Sequence, residues 1–440
     1  MTIADQLATI TGPDYVRQHE HTIIVSPANT QQVSEVLRFA NENRLTVTPI
    51  GGGTKQSWGS PVQANVYLDL TRLNRVIEHP WQDLTCTVQA GCTWQELQQA
   101  LAKHGQFVAL DPLWPERATV GGVLATNDSG AIRHRYGSLR DLVIGMTLVL
   151  ADGTIARSGG KVVKNVAGYD LCKLVTGSFG TLAVITEATF RLHPIPQHTQ
   201  TFTISAPQAA QLAPLMASIR ASHLLTQALQ LRGDSNGFHL DIQLSAHPEA
   251  HQDEILKKMT ESEGLKLDAL LPTNEQHPPT KPDSSIRLFA PSGQVAPQRD
   301  DGESSGLQAA EKSSQGERGF SPGPFSEREL LFENNATVIK LSVLPAELGE
   351  YLDHMQWAPE VEIACVAQSA GIIFASLEGP LAAAETYLQT LKTDLTVFAS
   401  STNAKRWNVD SKITLPLMQT VKHQFDPNRI LNPGRFLGGI

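Results

Sequence analysis

The sequence predicts an α+β protein built from two lobes, and three observations lead to this prediction. The chain of 440 residues is longer than a single hydrophobic core usually supports. Short strand patterns alternate with amphipathic helix patterns on both sides of a proline boundary at Pro194 and Pro196. A stretch rich in proline, serine, glycine and charge interrupts the second half. The predicted boundaries are a first lobe at 1–198 joined by the C-terminal segment 417–440, and a smaller second lobe at 199–270 and 327–416.

The composition excludes several function classes. The formal net charge is −9, from 44 acidic and 35 basic residues, which predicts no broad attraction for nucleic acid or for an anionic membrane. The four cysteines form no C-x-x-C pair, so no zinc site, iron–sulfur cluster or disulfide framework is predicted within the chain. No apolar run approaches the roughly 20 residues of a membrane span, and the N-terminus lacks a signal-peptide pattern. We therefore expect a soluble, cytoplasmic protein with reduced thiols.

The first lobe opens with a small α+β unit after a polar leader. Asn29 precedes a run with apolar residues at helical spacing, and Thr93 and Glu96 form the pattern of a capping box. The predicted elements are a strand at 22–25, a helix that starts at Pro27–Thr30, strands at 44–50, 66–70 and 86–91, and a helix from Thr93 to Gly105.

A second unit of the first lobe is predicted from about Pro115 to the proline boundary. Asp152-Gly153 is typical of a hairpin turn between two apolar runs. The predicted elements are a strand at 142–150, its return at 154–156, a short helix at 171–175 and a last strand at 180–190.

The second lobe alternates strands and helices, interrupted by residues 271–326. That interruption cannot bury enough apolar surface to offset the entropy of ordering, so we predict a disordered insertion, with a segment that folds on a partner as the alternative. The predicted elements are strands at 202–205, 228–231, 238–244, 336–343, 361–366 and 371–376, and helices up to 225, at 348–355, after Pro380 and at 417–425.

The stretch Thr48-Pro49-Ile50-Gly51-Gly52-Gly53-Thr54-Lys55 predicts a strand end that opens into a bare backbone loop. Without side chains in the way, backbone N–H groups can converge on a phosphate, and glycine reaches the positive φ values that this requires. A flexible surface turn is the alternative, because the triplet matches neither G-x-G-x-x-G nor G-x-x-x-x-G-K-[ST].

Other bare segments follow this loop in a fixed order. They are Thr119–Gly122, Asn127–Gly130, Tyr136-Gly137, the hairpin turn Asp152-Gly153 and the strand Gly180–Glu187. The combination resembles the FAD-binding domain of the vanillyl-alcohol oxidase and p-cresol methylhydroxylase flavoprotein family. Lys164–Leu171 and the ending Phe425–Arg435 resemble its glycolate oxidase and D-lactate dehydrogenase branch, and the layout is most similar to the FAD-binding E-type subunits of bacterial glycolate oxidase.

The resemblance implies a set of cofactor-binding residues. The loop Gly51, Gly52, Gly53, Thr54 and Lys55 would hold the FAD diphosphate through backbone N–H groups. The other side of the diphosphate and the ribityl chain would contact Thr119, Gly121, Gly122, Asn127, Ser129 and Gly130, with Tyr136 and Gly137 following. The adenine end would contact Val184, Ile185 and Glu187. Arg435 would return to the flavin region, with an ordinary surface arginine as the alternative.

The resemblance also bears on flavin attachment and on metals. Relatives with covalent FAD often carry a histidine where this chain has Thr54, so we expect non-covalent FAD. Related 2-hydroxy-acid dehydrogenases carry a histidine pair in the C-terminal half, suited to a divalent metal. After residue 277 this chain has only His354 and His423, far apart in sequence. His247 and His251 lie at a polar helix start, so no metal site is predicted.

The resemblance implies an FAD-dependent oxidoreductase acting on CH–OH groups. It would be the FAD-binding subunit of a glycolate oxidase or dehydrogenase complex, with a second FAD-binding subunit and an iron–sulfur subunit as partners. Glycolate, a small 2-hydroxy acid, would become glyoxylate by hydride transfer to flavin, and membrane association would occur through the partners. The alternatives are a non-catalytic structural or electron-relay subunit, or a single-chain hydroxy-acid or sugar-alcohol oxidase. The sequence assigns no catalytic residue.

Overall fold

The computed structural model describes most of the chain. The described residues are 1–19, 22–160, 170–245, 251–267, 269–271, 337–355, 360–391, 394–399, 407–408 and 411–440. They form an α+β fold with a two-part first lobe followed by a second lobe, and this confirms the predicted fold class.

The first subdomain is a four-stranded sheet covered by two helices. In sheet order the strands are β1 (Val16–His19), β2 (Thr22–Val25), β4 (Val66–Asp69) and β3 (Val47–Ile50), and the helices are α1 (Ile3–Thr11) and α2 (Thr30–Glu42). Strands β2, β4 and β3 run parallel, so β3 ends at the same edge as its neighbours. Leu7, Val36 and Leu68 are fully buried in the core of this subdomain.

The second subdomain is a five-stranded antiparallel sheet. In sheet order the strands are β5 (Val76–Glu78), β6 (Thr85–Gln89), β10 (Val184–Arg191), β8 (Val143–Val149) and β9 (Ile155–Gly159). The helices are α3 (Trp94–Ala102), α4 (Val120–Thr126), α5 (Arg133–Tyr136), α6 (Leu139–Leu142) and α7 (Leu171–Val175), and the short β7 (Gln106–Phe107) pairs with β11 (His193–Pro194). The core contains Trp94 and Phe190, whose rings meet edge to face at 5.8 Å.

The second lobe is a nine-stranded sheet with helices on one face. In sheet order the strands are β15 (Ala269–Leu271), β12 (Thr199–Ala206), β14 (Gly237–Ser245), β13 (Thr226–Asp234), β17 (Glu362–Gln368), β18 (Ile372–Glu378), β16 (Thr337–Ser342), β19 (Asp394–Ala399) and β20 (Trp407–Asn408). The helices are α8 (Ala209–Ala221), α9 (Gln252–Ser262), α10 (Leu348–Met355) and α11 (Leu381–Thr390), and α12 (Ser411–Phe425) leads into the C-terminal segment.

Several element boundaries differ from the sequence predictions. The polar leader contains a helix, α1, because Thr2 and Asp5 form a capping box. The helix that starts after Thr93 ends at Ala102, and the strand expected from residue 180 begins at Val184. Residues 272–336 lie outside the described part, so the predicted insertion stays a prediction.

The C-terminal segment returns to the first lobe after α12. Leu431 forms a parallel bridge with Val47 at the start of β3, and the Val47 amide donates to the Ile430 carbonyl at 2.7 Å. This pairing brings the last residues of the chain beside the loop that follows β3.

Candidate cofactor site

A cleft of about 700 Å³, measured together with its open mouth, lies between the two subdomains of the first lobe. Its walls carry few large side chains. The lining residues are Pro49, Ile50, Gly51, Gly52, Gly53, Thr54, Lys55, Gln56, Leu70, Ala90, Thr119, Gly121, Gly122, Ala125, Thr126, Phe179, Gly180, Ala183, Val184, Ile185, Asn432 and Arg435.

The first wall is the glycine loop, residues 51–55, which follows β3. A Cβ atom on Gly51 would collide with the Thr119 side chain, and one on Gly52 would collide with the Arg117 carbonyl. Gly53 has φ +72°, and its missing Cβ would stand in open space. Gly51 and Gly52 are thus required by their close contacts with the segment Arg117–Thr119, whereas Gly53 is required by its backbone conformation.

The second wall is the start of α4, which packs against the glycine loop. Thr119 caps this helix, and the Gly121 amide donates to the Ala90 carbonyl at 2.7 Å. A Cβ atom on Gly121 would meet the Ala90 side chain at 3.0 Å, so a larger residue would push α4 away from the strand below. Close packing against Ala90 therefore explains why position 121 is a glycine.

The side chain of Lys55 turns into the protein. Its ammonium lies 3.3 Å from the Asp128 carboxylate and between the rings of Trp58 and Trp114, 5.6 Å from each centroid. It also donates to the Leu113 carbonyl at 3.4 Å. Asp128 compensates the charge of this lysine, so Lys55 contributes to the cleft mainly through its backbone.

Arg435 lies beside the same loop and is almost fully buried. Its Nη2 donates to the carbonyls of Lys55 and Gln56 at 2.9 and 3.0 Å, and its Nη1 donates to Gln56 Oε1 at 2.9 Å. Burial lowers the pKa of the guanidinium to about 10. Arg435 therefore ties the C-terminal segment to the loop.

The third wall comes from residues 179–185 and from Asn432. The Nδ2 atom of Asn432 donates to the Phe179 carbonyl at 2.8 Å, which leaves Oδ1 pointing elsewhere. That oxygen is buried, and no described residue forms a hydrogen bond with it. A buried acceptor in this state is costly, and a hydroxyl or N–H donor of a ligand would satisfy it.

The cleft brings together most of the cofactor residues expected from the sequence. They are Gly51, Gly52, Gly53, Thr54, Lys55, Thr119, Gly121, Gly122, Val184, Ile185 and Arg435. The lining does not include Asn127, Ser129, Gly130, Tyr136, Gly137 or Glu187.

Most of the residues outside the lining have protein partners instead. Glu187 accepts from the hydroxyl of Thr147, its partner on the neighbouring strand β8, at 2.7 Å. The Tyr136 hydroxyl donates to Gln227 Oε1 at 2.8 Å, which joins the two lobes. The Gly130 amide donates to Asp111 at 2.9 Å, and the Ser129 carbonyl accepts from the second lobe.

Sequence reasoning missed Phe179, Gly180 and Asn432 as lining residues. A signal existed for Asn432, which stands in the ending Asn432-Pro433-Gly434-Arg435, but no local pattern shows which part of the chain this ending contacts. Lys164 and Tyr169, in the motif that resembles the glycolate oxidase branch, lie outside the described residues.

The two lobes meet in an apolar cluster next to the cleft, called the seam cluster below. It consists of Trp58, Leu113, Phe179, Val366 and Phe374. Trp58 and Phe179 come from the first lobe, and Phe374 lies on β18 of the second lobe. The ring of Phe436 packs 5.6 Å from that of Phe179. Large side chains therefore fill the space between the lobes here.

The residues of the cleft fit a dinucleotide such as FAD. The described lining holds two basic residues and no acidic one, as an anionic diphosphate requires. The glycine loop is open at Gly53, where an added Cβ would meet no protein atom within 4 Å, and a phosphate chain needs such close backbone approach. Asn432 adds a buried acceptor for hydroxyl or N–H groups of the ligand.

Comparisons with known proteins point to the same cofactor. The family model described as an FAD binding domain matches residues 22–159. The chain is 35% identical over 208 residues to glycolate oxidase subunit GlcD of Bacillus subtilis, covering 47% of this chain and 44% of that protein. It is 41% identical over 179 residues to D-lactate dehydrogenase of Archaeoglobus fulgidus, covering 40% of each chain. The matches thus span less than half the length of these relatives.

Solved structures share the whole fold at low sequence identity. The 4-ethylphenol oxidase of Gulosibacter chungangensis superposes with a TM-score of 0.66 and 15% identity, covering 98% of this chain and 96% of that one. Within the described ranges, no helix has both the length and the apolar character to cross a bilayer. The same residues contain no group of three or more histidine, cysteine or carboxylate side chains arranged to hold a metal ion.

Proposed function

We propose that the chain, whose residues 22–159 match the family model described as an FAD binding domain, is the FAD-binding subunit of a hydroxy-acid dehydrogenase of the glycolate oxidase type. The substrate is a small 2-hydroxy acid, with glycolate as the first candidate and D-lactate as the second. Both substrates appear in the names of proteins that resemble this chain. The bound flavin would supply the two-electron acceptor for oxidation of the CH–OH group.

The cleft is the observation that carries this proposal. The open backbone at Gly53, the absence of acidic residues from the described lining and the buried Asn432 acceptor support a bound dinucleotide. We assign the diphosphate to the glycine loop and the start of α4, and the adenine end to Val184 and Ile185. Asn127 joins this set because its buried Oδ1 also has no hydrogen-bond partner within the described ranges. Thr54 stands where covalent relatives carry a histidine, so the FAD is held non-covalently.

The electrons then leave the chain for a partner. The four cysteines are buried and unpaired, and burial raises the pKa of Cys86, Cys92 and Cys365 to about 12. An iron–sulfur cluster needs cysteines grouped around it, and the described residues contain no group of three or more histidine, cysteine or carboxylate side chains placed to hold a metal ion. We therefore propose an iron–sulfur subunit as acceptor and a second FAD-binding subunit in the same complex.

The visible absorption spectrum of the purified chain tests the proposal. A flavin spectrum is expected, and glycolate or D-lactate added without air should bleach it when the partner subunits are present. Acid precipitation should release the flavin into the supernatant if it is held non-covalently. A colourless chain that cannot be reconstituted with FAD would contradict the assignment of the cleft.

The seam cluster favours a second candidate function, a structural or electron-relay subunit without its own turnover. Trp58 and Phe374 belong to one buried apolar cluster, to which both lobes contribute, and this packed contact supports a structural role. In that case the flavin stays oxidised when the isolated chain receives glycolate, yet it is reduced within the complex. Bleaching of the isolated chain would instead favour a single-chain oxidase acting on a hydroxy acid or a sugar alcohol.

A further inference from the structure

The guanidinium of Arg435 is a buried cation that has no carboxylate partner among the described residues. Two lysines in the same lobe each lie against an aspartate, Lys55 at 3.3 Å from Asp128 and Lys422 at 2.7 Å from Asp426. For Arg435, no carboxylate of the described residues lies within the 4 Å of an ion pair, although only 5% of this residue is exposed. A buried charge without a counter-ion is strongly unfavourable, so Arg435 calls for an anion.

The surroundings of Arg435 show where that anion belongs. Arg435 lines the cleft together with the glycine loop, and the described lining contains no acidic residue. Its hydrogen bonds go to the Lys55 and Gln56 carbonyls, so the oxygens at the end of the loop point toward the guanidinium. The Ser60 amide donates to the Arg435 carbonyl at 3.0 Å, which holds the arginine backbone against the chain that leaves the loop.

In this geometry the carbonyl oxygens at the end of the glycine loop contact the guanidinium of Arg435, and the N–H groups of the loop are available to a ligand. The positive charge of Arg435 therefore lies next to the loop that would bind the ligand. A charge in a water-poor site acts over several ångströms, because little solvent screens it. The diphosphate of a dinucleotide carries two negative charges. It would compensate the charge of Arg435 and accept hydrogen bonds from the N–H groups of the glycine loop.

We propose that Arg435 is a positioning residue that provides the positive charge for the diphosphate of the bound dinucleotide and acts through the glycine loop. The proposal rests on the FAD site of the proposed function. Lys55 does not share this role, because Asp128 compensates its charge. Arg435 therefore determines affinity for the phosphate-containing part of the cofactor and leaves the flavin ring unaffected.

Two pairs of probes that differ in their phosphates test this proposal on the full chain stripped of flavin. FAD is compared with riboflavin, and ADP with adenosine, by titration calorimetry and flavin fluorescence. In Arg435→Met the affinity for FAD and ADP should fall by about tenfold or more, while that for riboflavin and adenosine changes by less than about twofold. Arg435→Lys, which retains the charge, should keep most of the preference for phosphate.

Arg429→Met is the matched control, because Arg429 is an exposed arginine of the same C-terminal segment. It changes the net charge equally and should leave all four affinities unchanged. Salt dependence gives a test that needs no substitution. Salt should weaken the binding of FAD to the wild-type chain more than that of riboflavin, and Arg435→Met should reduce this difference.

The outcomes distinguish a failure of the role proposed for Arg435 from a failure of the proposed FAD site. Equal losses for phosphate-containing and phosphate-free probes would mean that Arg435 only maintains the fold, and unchanged FAD affinity would mean that it has no role. Either result overturns this inference, as would equal salt dependence of FAD and riboflavin in the wild-type chain. A wild-type chain that binds none of the four probes would instead overturn the proposed function.

Discussion

The ammonium of Lys55 lies 3.3 Å from the carboxylate of Asp128, and only 4% and 0% of the two side chains are exposed. Asp128 also accepts from the Leu113 amide at 2.8 Å, so one carboxylate fixes both the end of the glycine loop and the segment before α4. The glycine loop is the first wall of the cleft, and the segment from Leu113 leads into α4, which forms the second wall. The ion pair thus fixes the position of the glycine loop relative to the segment that leads into α4.

Lys55→Met is expected to destabilise the chain by about 3–5 kcal/mol, because it leaves the Asp128 carboxylate buried without its cation. Urea unfolding followed by circular dichroism measures the change. Lys55→Met combined with Asp128→Asn should be less destabilised than the sum of the two single variants, since the double variant has no uncompensated charge. Additive losses would show that the two residues do not act as a pair.

The second buried pair anchors the C-terminal segment. Lys422 donates to Asp426 and to the carbonyls of Thr181 and Leu431, and Asp426 accepts from the amides of Ile430 and Leu431. Asp426→Ala should therefore lower the free energy of unfolding by about 3–5 kcal/mol and weaken FAD binding, because Arg435 is held by the same segment.

The exposed pair Lys173 and Asp170 offers the control for this prediction. Its nitrogen and oxygen atoms are 3.0 Å apart, but the side chains are 58% and 50% exposed. Lys173→Met should therefore leave both urea unfolding and FAD affinity unchanged. A stability loss in Lys173→Met equal to that in Asp426→Ala would contradict the anchoring role of the buried pair.

Local signals predicted the elements that build the cleft. The capping box at Thr93 and Glu96 and the turn at Asp152-Gly153 depend on neighbouring residues only, and both elements form close to where they were expected. The same logic would have found α1, because Thr2 and Asp5 form a capping box and Ile3, Leu7 and Ile10 recur at helical spacing, but this stretch was interpreted as a polar leader.

Contacts between distant segments were beyond sequence reasoning. Asn432 reaches the cleft because Leu431 bridges Val47, a pairing that no local pattern contains. Glu187 was expected near the adenine end, but the strand register shifts between Ile185 and Glu187, and the side chain lies beside Thr147. The compensation of Lys55 by Asp128 likewise depends on tertiary packing.

The contact between the lobes is expected to weaken in acid. His134 lies 3.0 Å from the Ser369 hydroxyl of the second lobe, and burial, with Arg220 and Arg135 nearby, lowers the pKa of its imidazole below 6.5. The unfolded chain therefore binds this proton more readily than the folded chain. Stability is present above pH 6.5 and falls as the pH drops toward the folded-state pKa.

His134→Gln tests this pH dependence. The loss of unfolding free energy between about pH 7.5 and about pH 5.5 should be smaller in the variant than in the wild-type chain, because the glutamine does not titrate. The pKa of His193 is also lowered, first by burial and then by Arg191 and Arg135, so His193→Gln should remove a separate part of the loss. Identical pH profiles of wild type and His134→Gln would contradict the prediction.

Gly53 offers the sharpest test of the glycine loop. Its φ is +72°, and a methyl group there would meet no protein atom within 4 Å, whereas one on Gly52 would collide with the Arg117 carbonyl and move the second wall. Gly53→Ala should therefore cost about 1 kcal/mol of backbone strain without repacking the cleft. The methyl group and the altered loop should nevertheless keep a diphosphate from close backbone approach.

Gly264 is the matched control, since its φ is +71° and it too has no neighbour within 4 Å, but it lies after α9 in the second lobe. Gly53→Ala and Gly264→Ala should lose similar stability in urea, because the strain is the same. FAD affinity should fall in Gly53→Ala alone, by about tenfold if one backbone N–H contact to phosphate is lost. Equal FAD affinity in the two variants would mean that the glycines serve only to pack the loop against Thr119 and Arg117.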